Sequence, residues 1–148
     1  ARSFSSVAPS ASIKKVPKHP FSLLVTLEFQ DSNAKQEFLK AIEPVAAYVH
    51  SKEPTTLSYQ VLQSDQNPLQ VLLLERYADK EKAYLQIHKS SEDFLKFRPI
   101  LQKLSEQGRV KISGSSYLDS DIGFMDRHWN NLLQVQTRIL SGTSVQEG

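Results

Sequence analysis

The stretch Phe21-Ser22-Leu23-Leu24-Val25-Thr26-Leu27-Glu28-Phe29 alternates strictly between two sets of side chains. Phe21, Leu23, Val25, Leu27 and Phe29 fall on one side, and Ser22, Leu24, Thr26 and Glu28 on the other. Because successive side chains of a strand point to opposite faces, the stretch predicts a β-strand with one fully apolar face. Asp31 and Ser32 follow at once and supply N-cap chemistry for a helix. Its apolar stripe is Ala34, Phe38, Ile42, Val45 and Val49, at helical spacing, with Pro44 inside it as an expected kink. Glu53-Pro54 closes the segment, since a residue preceding proline is disfavoured in the helical region.

Downstream, Leu57, Tyr59 and Val61 alternate with Ser58 and Gln60 and predict a second strand. The turn Ser64-Asp65-Gln66-Asn67-Pro68 joins it to a third, Leu69 to Tyr77. There Leu69, Val71 and Leu73 share one face, and Leu72 and Leu74 take the other. Asp79 caps a helix expected to run to about His88, and Ser90 or Ser91 restarts it. Phe94, Phe97, Leu101 and Leu104 mark the buried side of that next helix, with Gly108 as its C-terminal stop. Val110 and Ile112 open a fourth strand reaching about Leu118. The order strand, helix, strand, strand, helix, strand is the split βαβ, or ferredoxin-like, arrangement of an α+β protein. Both helices then lie on one face of an antiparallel sheet. The bare face carries Leu24, Leu72 and Leu74 among Ser22, Thr26 and Gln70, a surface that calls for a cover. A second copy packed sheet to sheet, giving a homodimer, is the simplest cover; the C-terminal segment is the alternative.

Composition agrees with a single folded domain. The chain has 148 residues, 39% of them hydrophobic and 23% charged, and a formal net charge of +2. That excess gives no general case for nucleic-acid binding. The third strand also lacks the aromatic and basic residues with which sheet-based RNA modules stack and clamp bases. With no cysteine, disulfides, thiolate nucleophiles and zinc–thiolate sites are excluded. No apolar run approaches the ~20 residues of a membrane-spanning helix. The organisation reads as a basic segment 1–20, a folded domain 21–118 and a C-terminal helical extension 119–148. Arg2, Lys14, Lys15 and Lys18 stand in the first segment among serines and without an acidic residue. This is the composition of a mitochondrial or plastid transit-peptide remnant, or of an ordinary terminus on a cytoplasmic protein. In the extension, Met125, Trp129, Leu132, Leu133, Gln136 and Leu140 fall at helical spacing, with Asp121 as the expected cap. Such an amphipathic helix packs on its own domain or docks a protein partner.

Two stretches resemble a known family. Glu53-Pro54-Thr55-Thr56-Leu57-Ser58-Tyr59 is similar to the Glu-Pro-Gly-x-Leu-x-Tyr run of antibiotic biosynthesis monooxygenase-like proteins, with Thr55 in place of the glycine. The residues Glu75, Tyr77, Ala83, His88, Ser91 and Phe94 resemble the family's second signature, in the same order. The resemblance spans about residues 21–118 and implies a dimeric α+β barrel. It also implies oxygenation of a small aromatic phenol, anthrone or quinol, with dioxygen as co-substrate and neither metal nor flavin.

A site of that kind needs a base, hydrogen-bond donors and an apolar pocket. His88 is the candidate base, with Tyr77 and Tyr59 as catalytic partners that orient a phenol; each also reads as a satisfied core residue. Glu53 and Glu75 would act as bases if buried, or serve as a cap or salt bridge. Arg76, Leu72, Leu74 and Phe94 are the expected substrate-binding residues. The haem-degrading branch of the same superfamily carries its iron ligand in the helix that here reads Phe94-Leu95-Lys96-Phe97-Arg98, without histidine. The four histidines show no metal-ligand spacing, and no phosphate loop or nucleophile elbow occurs in the chain.

Overall fold

The computed structural model describes residues 19–125. Strand β1 (Phe21–Phe29) leads into helix α1 (Ser32–Lys52), followed by β2 (Thr56–Gln63) and β3 (Gln70–Tyr77). A π-helix (Lys80–Ile87) and a 3-10 turn (His88–Ser90) connect to α2 (Glu92–Glu106), and β4 (Val110–Leu118) completes the fold. The four strands form one antiparallel sheet in the order β2-β3-β1-β4. This is the expected ferredoxin-like α+β arrangement, with the strongly alternating β1 in an interior position.

Helix α1 starts where its cap chemistry places it. The Ala34 N–H donates to Asp31 Oδ1 at 2.8 Å, and the five residues of the apolar stripe are all buried. The helix continues through Pro44, whose side lies in solvent, because Val45 and Val49 keep the following turns anchored to the sheet. Replacing Asp31 by alanine leaves that N–H without its partner and should cost about 1 kcal/mol of stability, read as a lower urea midpoint. Helix α2 begins on Ser91, whose hydroxyl accepts from Phe94 N–H, and ends at Gly108, which takes φ 68. That left-handed conformation suits glycine at a helix stop. Between α1, α2 and the sheet lies the main core, built on Phe38, which packs against Phe29 and Phe97.

Three local features depart from the sequence-based expectation. Leu57 does not share a face with Tyr59 and Val61. The register shifts between Thr56 and Ser58, so Leu57 is the extra residue of a β-bulge and is 45% exposed. The bulge puts Thr56, opposite Tyr77, and Tyr59, opposite Glu75, on the helix-covered face. The segment after Asp79 is helical but wound with the wider π geometry: Tyr84 N–H reaches back to the Asp79 carbonyl, and His88 N–H to Ala83 and Tyr84. Asp121 adopts φ 63 in an irregular stretch, not the extended geometry of an N-cap. The remainder of the expected tail helix, Trp129 to Leu140, lies outside the described residues, as do residues 1–18.

Candidate functional site

Glu53 ends α1, and His88 ends the π-helix; the fold brings these two residues, 35 positions apart, together in the interior. Glu53 is 2% exposed and His88 0%. Nδ1 of His88 lies 3.0 Å from Glu53 Oε2, and Thr56 Oγ1 donates to the same oxygen at 2.9 Å. The other ring nitrogen, Nε2, is buried without a hydrogen-bond partner, as is Glu53 Oε1. Around the imidazole stand Phe94 at a ring-centroid separation of 4.9 Å, Tyr77 at 5.3 Å, Tyr59 at 5.4 Å and Tyr84 at 6.4 Å. Removal from water pushes the His88 pKa below its ordinary value, against the opposing pull of Glu53. The imidazole is therefore neutral at pH 7 and able to accept a proton.

A second buried pair adjoins the first. Tyr77 O–H donates to Glu75 Oε2 at 2.6 Å. Burial raises the Glu75 pKa to about 7 despite that bond, with Glu53 nearby adding to the effect. Burial, reinforced by the Glu75 carboxylate, pushes the hydroxyls of Tyr59 and Tyr77 well above the usual phenol range, so both remain protonated donors. An acid whose folded pKa is raised stabilises the fold at low pH and loses that contribution as pH climbs to the folded value. Between about pH 4.5 and 7 the Glu75 contribution should therefore fall, by on the order of 3 kcal/mol. Glu75→Gln should remove this slope and exceed the wild type in urea midpoint at pH 8 but not at pH 5. A wild-type slope retained in the variant would assign the titration to another group.

The structure brings together His88, Tyr59, Tyr77 and Phe94 of the residues singled out in the sequence. Arg76, Leu72 and Leu74 are not with them. They alternate with the buried Val71, Leu73, Glu75 and Tyr77 along β3 and so lie on the opposite, open face of the sheet. There Arg76 pairs with Asp119 at the rim of a cleft of about 270 Å³ that Leu118 to Met125 complete. Leu72 borders a shallow depression with Thr26, Leu62 and Gln70. Thr56 and Tyr84 join the His88 cluster without having stood out, and Glu53, read from the sequence as a base if buried or as a cap or salt bridge, joins it as the partner of His88. The Glu-Pro run in front of a strand was the signal for Glu53, but nothing local to the sequence pairs it with His88.

Residues 20–99, more than half of the chain, match the sequence pattern of the family described as antibiotic biosynthesis monooxygenase. The chain belongs to that family. Both the Glu53–Tyr59 run and the span from Glu75 to Phe94 fall within the matched residues. No curated protein matches the chain. Among solved structures, a candidate antibiotic biosynthesis monooxygenase from Nitrosomonas europaea superposes with a TM-score of 0.58 at 18% identity, over 72% of this chain and 96% of that one. A counterpart from Caulobacter crescentus gives 0.55 at 24% identity, over 70% and 93%. A point variant of SnoaB, a cofactor-independent oxygenase from Streptomyces nogalater, gives 0.54 at 11% identity, over 73% and 99%. At these identities the likeness is one of fold. Among the described residues of this family member, no helix is long and apolar enough to cross a membrane, and no group of three or more histidine, aspartate or glutamate side chains is placed to hold a metal ion.

Proposed function

We propose that the protein is a cofactor-independent monooxygenase acting on a small electron-rich aromatic (an anthrone, phenol or quinol) with dioxygen as co-substrate. The observation that carries this reading is the buried Nε2 of His88, unpartnered and ringed by Tyr59, Tyr77, Tyr84 and Phe94. Such a nitrogen is a base without a proton to abstract until a substrate arrives. For an anthrone, Nε2 takes one proton of the reacting methylene, leaving a carbanion stabilised as its enolate. The carbanion gives one electron to dioxygen, and the carbon radical and superoxide combine to a peroxide. The peroxide is protonated by the His88 imidazolium and loses water as the second methylene proton leaves, giving the ketone. The sum is one methylene and one dioxygen consumed, one carbonyl and one water formed. Tyr59, held protonated, donates a hydrogen bond to the developing oxyanion, while Tyr77, its hydroxyl donated to Glu75, holds its ring against the imidazole. Substrate enters by displacing the half-exposed Tyr84 and Phe94.

The working unit in this reading is a homodimer, its open sheet faces packed together through Leu24, Leu62, Leu72 and Leu74, and the basic N-terminal stretch directs it to an organelle. A non-catalytic assembly subunit is the second reading. It draws support from the side chains of the protein itself, which enclose His88 completely. Oxygen uptake over a panel of anthrones and hydroquinones separates the two. Protein-dependent uptake matched by product formation, and reduced in a folded Tyr77→Phe variant, is the result expected of the enzyme. Uptake no faster than without protein across the panel would favour the assembly subunit.

A further inference from the structure

Glu53 occupies a place that folding alone does not explain. It is a carboxylate at the C-terminal end of a 21-residue helix, where the helix dipole is negative and repels it. It is also almost wholly withdrawn from water, which costs a charged group solvation. Lysine, arginine or histidine is the favoured residue class at such an end. The backbone nonetheless fixes it firmly. Its N–H donates to the Val49 carbonyl at 3.0 Å, its carbonyl accepts from Thr56 N–H at 3.0 Å, and Pro54 follows. One oxygen, Oε2, receives both the Thr56 hydroxyl and the His88 ring. Local rules of stability are broken in this way mostly where a site requires it.

We propose that Glu53 is a positioning residue that holds His88 in the Nδ1–H tautomer, so that Nε2 carries the lone pair facing the aromatic cage. The inference rests on the reading of His88 as the base and adds how its reactive nitrogen is selected. Oε2 already accepts from the Thr56 hydroxyl, and an oxygen acting as acceptor there leaves the 3.0 Å contact to be donated from the ring, which puts the imidazole proton on Nδ1. Thr56 occupies Oε2 from a second direction and fixes the carboxylate plane. The β-bulge at Leu57 makes this possible by placing Thr56 on the covered face.

Nitrogen-15 NMR of the intact protein at pH 8 tests the tautomer without any substrate. The expected spectrum has a protonated Nδ1 and an unprotonated Nε2 for His88. A proton on Nε2 in the wild type would overturn the proposal outright. In Glu53→Gln the side-chain amide can donate to Nδ1 as well as accept from it, so the Nε2–H tautomer should become populated. With an oxygenated substrate from the panel above, kcat in that variant should drop by about 10²-fold or more, within the range of a general base, with KM changed far less. A variant with the tautomer and kcat of the wild type would also defeat the assignment. A wild type with the expected tautomer but no oxygen uptake would instead count against the monooxygenase reading and leave the role of Glu53 in ordering the imidazole intact.

Discussion

His88→Gln should lower kcat for aromatic oxygenation by about 10²–10⁴-fold, the span associated with a positioned general base. Glutamine retains a side-chain nitrogen able to donate toward Glu53, so the buried carboxylate keeps a partner and the fold survives. What glutamine lacks is a second nitrogen with a lone pair. Retention of the thermal midpoint together with loss of turnover would separate chemistry from packing. The wild-type pH profile should carry the same signature. Because burial depresses the His88 pKa, kcat/KM should fall only below the ordinary histidine range, on the acid side, as the imidazole takes up its proton. The glutamine variant should lose that acid limb. Turnover within a few fold of the wild type in a folded His88→Gln protein would remove His88 from the reaction.

Phe38→Ala is expected to be the most damaging single change to stability, at about 3–5 kcal/mol. Phe38 is buried at the centre of the core, with Phe29 at 5.4 Å on the sheet and Phe97 at 5.9 Å on α2. Its removal leaves a cavity bordered by three separate elements, none of which can close it without moving the others. Denaturant unfolding should show a lower midpoint with an unchanged slope. The His88 cage is built from other residues, so the folded fraction of the variant should turn over at close to the wild-type rate. A loss below about 1 kcal/mol would mean that α1 and α2 collapse into the space, and that the core is far less rigid than its packing implies.

Periodicity carried most of the fold. The alternation of Phe21 to Phe29 and the stripe from Ala34 to Val49 each report one face directly. The whole stripe is buried as expected, and so are Phe21, Leu27 and Phe29 of the strand. The bulge was hidden because Leu57, Tyr59 and Val61 alternate on paper as though the strand were regular. An extra residue shows only when the partner strand is aligned beside it. The π-helix was hidden for a related reason: it starts on an ordinary aspartate cap, Asp79, and its wider hydrogen-bond step leaves no composition of its own. His88, Tyr59, Tyr77 and Phe94 were legible as a set because they lie in two runs similar to the family's signatures. Glu53 was legible as a helix terminus but not as a partner of His88, since that contact is purely tertiary. For Arg76, Leu72 and Leu74 the strand parity already pointed away from Tyr77, and it is parity that the structure follows.

The π-helix makes the site sensitive to chain length where it is tolerant of spelling. Lys80, Glu81, Lys82, Leu85 and Gln86 are exposed, and of the eight residues only Ala83 is fully enclosed. Most substitutions along this stretch leave the cage untouched. Losing one residue is different in kind. Its backbone hydrogen bonds reach five residues back, as from Tyr84 N–H to the Asp79 carbonyl, so omitting one position breaks that pairing and shifts the downstream residues along and around the axis. A single-codon deletion between Asp79 and Tyr84 would therefore move the imidazole relative to Glu53 while every residue of the cage remained present.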